Sequence, residues 1–156
     1  MRNAVIVLAC TVAVSAAVLA QTPLSQEARD AITAYQLTMP RANSLIAAME
    51  AMTKYVVSLP DFKERLAKTA KMTQAERLAQ IENDPKASAI LKQNSLTARD
   101  YVVGVLALRM ARLVAEGLPP GPTVVASPAN VAFMKANLAQ LKPKMDAADG
   151  VVPRGR

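Results

Sequence analysis

Arg109, Arg112 and Glu116 stand three and four residues apart, so on a helix they share one stripe. Two guanidiniums beside a carboxylate can hold an anion or a carboxylate in a groove, with Glu116 orienting Arg112. The same spacing also describes the strip by which an otherwise apolar helix reaches water, and that plainer role is the expectation. Asp100 and Tyr101 open the same segment. As a polar pair they would suit the mouth of a pocket. Asp100, however, lies three residues after Thr97, where it completes a helix cap, and Tyr101 can pack with its hydroxyl at a rim. Tyr101, Arg109, Arg112 and Glu116 are the candidate ligand-binding residues. No residue is a candidate catalyst or metal ligand.

Other chemistry has little to stand on. The chain has no His and a single Cys, Cys10, which removes the commonest general base and the commonest transition-metal ligand. Met39, Met49, Met52, Met72, Met110, Met134 and Met145 could offer thioethers to Cu(I). Without His or Cys beside them, methionines are expected to fill irregular core gaps. No Ser is followed three residues later by Lys, and no Gly-rich loop follows a strand pattern; a nucleophile would need one of the few remaining bases. The chain is therefore expected not to be an enzyme and to carry no cofactor. Lys63, Arg65, Lys68 and Lys71 lead on to Arg77 as a basic run that could rest on an anionic membrane or polymer. Interleaved acids and scarce aromatics give no specific nucleic-acid signal.

The ends set the context for these residues. Arg2 precedes Ala4–Leu19, a run with no charged side chain, and Val18-Leu19-Ala20 places short residues where a signal peptidase reads. This is the secretory pattern, and residues 1–20 are expected to be cleaved before Gln21. The run is shorter than the roughly 20 residues that span a bilayer. Two other readings are an uncleaved anchor and, more weakly, a lipoprotein acylated on Cys10. Cleavage leaves a cysteine-free, basic chain suited to a periplasmic or secreted location. The formal net charge of the whole sequence is +7.

The remaining chain is long enough for one domain, expected over residues 21–142 with a flexible tail at 143–156. Strand and hairpin signals are scarce, whereas helical periodicity recurs. A first helix opens at Ser25, carries Ala28, Ile32, Tyr35 and Met39 on one face, and is expected to stop at Pro40. A second runs from Arg41 to Ser58, with a seam of Leu45, Met49, Met52, Val56 and Leu59. Ser58 caps a third, with Pro60 early and Phe62, Leu66 and Thr69 on its narrow apolar face. Thr73 to Glu76 is a capping box. Asp84-Pro85 restarts a short helix, and Thr97 to Asp100 caps another. From Tyr101 to Ala115 the chain is apolar on nearly every side, the mark of a buried central helix, and Gly117 is placed to end it. Gly104, Ala107, Ala111 and Ala115 form a narrow small-residue sector. After a proline-rich loop, Ser127 caps a last helix with a seam of Val131, Met134, Leu138 and Leu141, expected to close at Pro143.

These readings add up to an all-α fold, an irregular helical bundle of five to seven helices after the N-terminal signal peptide, with no transmembrane helix in the mature chain. The expected function is that of an exported, non-catalytic binding or interaction module of the cell envelope, with a protein or an anionic surface as partner. The alternative is a carrier of a small apolar ligand between helices, which predicts an enclosed apolar cavity and which a core packed solid around Gly104 would count against.

Overall fold

The computed structural model describes residues 24–150. The expected signal segment, the last residues of the tail and the side chain of Leu66 lie outside the described residues. All elements among them are helices: α1 (Gln26–Ala34), α2 (Met39–Val57), α3 (Phe62–Ala70), α4 (Gln74–Glu82), α5 (Pro85–Gln93), α6 (Ala98–Ala115) and α7 (Pro128–Ala148). The all-α class is as expected. No helix among the described residues is long and apolar enough to cross a membrane.

Local chemistry sets most of the boundaries. Ser25, Thr38, Thr73, Thr97 and Ser127 each accept a hydrogen bond from a backbone N–H of the first turn that follows, satisfying donors that a helix start leaves open. Thr73 with Glu76 and Thr97 with Asp100 form reciprocal capping boxes. Asp84 caps α5 through Lys86 and Ala87, with Pro85 in the first turn. Gly117, at φ +106°, ends α6. Leu118 N–H reaches the Leu113 carbonyl and Gly117 N–H that of Val114, the paired bonds of a left-handed helix stop. Ser95 performs the same turn after α5 at φ +56°, without being glycine.

α6 is the axis. Val103 through Leu108, Met110 and Ala111 are all buried, and α1, α2, α4, α5 and α7 each pack against it. The main core joins Leu45, Ile46 and Met49 of α2 to Leu108 of α6 and to Met134 and Leu141 of α7. Ile32 of α1 meets Leu106 and Ala107 on the other side. Each such side chain contributes roughly 1.5–3 kcal/mol relative to exposure. α3 alone makes only sparse contacts with the other helices.

Three expected boundaries are corrected. α1 stops at Ala34, not at Pro40, because Tyr35–Thr38 is drawn out as a straight connector. The buried Asn130 holds it: its Oδ1 accepts from Leu37 N–H at 2.9 Å and its Nδ2 donates to the Tyr35 carbonyl at 2.6 Å. Pro40 then lies in the first turn of α2, where a missing N–H costs nothing. Ser58 ends α2 rather than capping α3, since its N–H still donates to Lys54 and its hydroxyl donates to the Tyr55 carbonyl. Pro143 lies inside α7, which runs on to Ala148. Ala139 and Pro143 are both exposed, so water can take the carbonyl that the proline leaves without a donor. Burial of Met145 and Ala148 offsets the lost bond. Residues 143–148 thus belong to the folded body.

Two substitutions test these local assignments by thermal and denaturant unfolding. Asn130→Leu should destabilise by about 2–3 kcal/mol, since it strands a buried N–H and carbonyl; a loss below about 0.5 kcal/mol would show that the connector does not need the clamp. Ser95→Gly should stabilise by about 1 kcal/mol by removing a Cβ from a left-handed position, and any destabilisation would contradict the turn.

Candidate functional site

The small-residue sector of α6 is filled. A Cβ built on Gly104 would lie 2.8 Å from Leu45 Cδ2 and 2.8 Å from the Cζ and hydroxyl oxygen of Tyr35. The core is packed solid around Gly104, which counts against a ligand held in that sector. Tyr35, the residue that begins the Asn130-clamped connector, is the lid on that sector.

A cavity of about 600 Å³ opens instead along the neighbouring face of α6, at Tyr101, Val102, Val105, Leu106 and Arg109. The seam of α2 splits in two: Leu45 and Met49 are buried in the core, whereas Met52, Val56 and Leu59 pass beyond it and form the opposite wall. Ala28 of α1 and Ile81 of α4 add apolar surface. Arg65, Thr69 and Ala70 of α3 also line it.

The polar groups of the cavity are sorted by partner. Toward α5, the Tyr55 hydroxyl donates to Asp84 Oδ2 at 2.7 Å, and Lys86 stands 5.0 Å from the Tyr55 ring centre. Arg65 is held by Asp61 at 2.9 Å. Elsewhere in the lining, Arg77 of α4 and Arg109 of α6 are near neighbours. Arg109 donates through Nη2 to Asp149, just beyond α7, but its Nε is buried without a partner. Arg77 Nε is likewise buried without a partner. Burial and then the Arg109 charge push the Arg77 pKa down, with no carboxylate offsetting them. Tyr101 lies on the same wall, and burial pushes its hydroxyl up to about 12, against a smaller opposing pull from Arg109.

The four expected site residues thus part company. Tyr101 and Arg109 line the cavity. Arg112 and Glu116 do not. Arg112 donates to Asp146 at 2.6 Å and to Glu116 at 3.3 Å, and Lys142 reaches Glu116 at 2.7 Å. Burial tends to raise the Glu116 pKa, but hydrogen bonds and charge from Lys142 and Arg112 outweigh it, leaving a net lowering. This lattice ties the ends of α6 and α7 together, so the stripe is neither a groove nor simply a wet edge. In the sequence Arg77 stood only as the end of a basic run, because its neighbour Arg109 lies on a later helix. The available sign was an arginine at the fourth position of a helix, four residues before Ile81, which lines the same cavity. Among the described residues no three His, Cys, Asp or Glu side chains converge.

The Tyr101 environment has a sign that can be checked. The folded state keeps this phenol neutral to about pH 12, whereas the unfolded chain ionises it near its ordinary value of 10.0. Its contribution to stability is therefore complete below pH 10 and lost as pH rises toward 12. Phenolate absorbance should show one tyrosine titrating later in the parent than in any step of Tyr101→Phe, and unfolding free energies should fall more steeply across that window in the parent. A Tyr101 step at the ordinary value would place the hydroxyl in open water.

The chain matches no family model, no curated protein and no solved structure.

Proposed function

We propose that the chain is a non-catalytic helical binding protein that carries a small apolar ligand between α1, α2, α4 and α6. The single observation behind this reading is the cavity of about 600 Å³ walled by Met52, Val56, Leu59, Val102, Val105 and Leu106. That volume lies within the roughly 300–1,000 Å³ typical of small-molecule sites, which combine apolar walls with a few polar groups. The secretory pattern of residues 1–20 supports an exported carrier, working in the periplasm or outside the cell.

The chemistry of the walls favours holding over converting. A general base works best with a pKa near the ambient pH. Tyr101 is held at about 12, arginines do not release protons in this range, and Asp84 is occupied by Tyr55 and by the start of α5. The other expectation, an envelope protein or anionic surface as partner, has the net charge of +7 in its favour. It is supported less directly, because Arg112, Glu116, Lys142 and Asp146 neutralise one another.

Calorimetric titration with dodecanol, a neutral chain, should give saturable one-to-one binding. Val102→Trp, which fills the space from the α6 side, should weaken it at least tenfold while keeping the parent's helical circular dichroism. Met52→Phe fills it from the α2 side and should act in the same direction. Unchanged binding by two folded variants, or no binding by the parent, would overturn the carrier reading.

A further inference from the structure

Resting on that carrier reading, we infer that the ligand is a single-chain amphiphile with a carboxylate head, and that the head is received by Arg77 beside Arg109. Apolar walls alone would suit any oil-like molecule. They do not account for two guanidiniums in the same lining, of which Arg77 has no ion pair among the described residues. Buried donors without acceptors are rare and costly, and a charged donor more so. Both Nε atoms are closed to water, so a ligand's acceptor would meet the outer Nη end of Arg77 instead. A planar guanidinium fits a carboxylate with parallel N–H bonds.

Local charge selects the head further. Arg109 already gives Nη2 to Asp149, so that pair is neutral. Tyr101 is neutral below pH 12. Arg65 is matched by Asp61, and no carboxylate acts appreciably on Arg77. Lys71 and Asp84 also line the cavity, with opposite signs, so the described lining with its ion-pair partners carries a net charge of about +1, and Arg77 is its guanidinium without an ion pair. A monoanion neutralises it; a phosphate monoester, carrying about −1.5 to −2 at neutral pH, would leave excess negative charge in a partly desolvated place. The carboxylate therefore fits better than the phosphate.

The test compares three chains of equal length on the full-length protein, below their micellar concentrations: dodecanoate, dodecanol and dodecyl phosphate. Dodecanoate should bind at least tenfold more tightly than dodecanol. Arg77→Gln should bring dodecanoate down to the dodecanol level while leaving dodecanol unchanged, and Arg77→Lys should keep part of the preference. Arg65→Gln, at a paired arginine of the same cavity, should leave it intact. Because Arg77 has no partner on Nε to lose, Arg77→Gln without ligand should unfold no lower than the parent; a lowered midpoint would mean that Arg77 already has a structural partner and is not waiting for one. Equal affinity for dodecanoate and dodecanol would overturn the carboxylate head and leave the carrier reading standing. Binding of neither would overturn the carrier reading itself. Tighter binding of dodecyl phosphate would overturn the choice of a monoanion.

Discussion

Everything in this fold follows from one helix that water cannot be allowed to reach. α6 presents apolar side chains in almost every direction, and a helix of that kind is stable only when other elements surround it. α1, α2, α4, α5 and α7 supply the cover. Their fit is uneven. On the Gly104 side, the absence of a side chain lets Tyr35 and Leu45 close to contact distance. On the Ala111 side, α7 lies along the axis with Met134, Leu141 and Met145. On the Tyr101–Val105–Arg109 side, the chain between α2 and α6 is broken into three short helices joined by tight turns. The cavity lies on this side.

Charge is distributed by the same geometry. Arg109 and Arg112 are three residues apart, so they leave the helix at different angles and meet different neighbours. Arg112 meets Asp146 and Glu116 where α6 and α7 run side by side. Arg109 meets Asp149 at one edge and the cavity at the other. One stripe therefore does two things: its far half fastens two helices, and its near half sets the polarity of a hollow. Arg77 completes that polarity from α4.

Much of this was legible in the residues themselves. The caps at Ser25, Thr73, Asp84, Thr97 and Ser127 act locally, between groups two or three positions apart, and such signals need no knowledge of the fold. The apolar girth of Tyr101–Ala115 announced its burial for a similar reason. The two proline misreadings involve partners distant in sequence, whereas Ser58 was misread against local partners, Lys54 and Tyr55. Pro40 and Pro143 look like terminators because the cost of a proline is visible locally, whereas what offsets it is not: the clamp from Asn130 in one case, the burial of Met145 and Ala148 in the other. The small-residue sector was read as one that lets a neighbouring helix approach closely, and at Gly104 Leu45 and Tyr35 do so. The space lies instead where the α2 seam outruns its partner. Tyr101 and Arg109 could be picked out as polar groups on an apolar helix; Arg77 could not, since its setting depends on how α4 folds back against α6.

The central claim is that the Tyr101–Val105–Arg109 face of α6 looks onto room for a ligand rather than onto packed side chains. A crystal structure grown with dodecanoate tests it most directly. The account expects continuous density for the chain between α2 and α6 beside α3, with its carboxylate on the guanidinium of Arg77. Side chains of α3 and α4 closed onto Val102 and Val105, with no space between them and no bound chain, would contradict it.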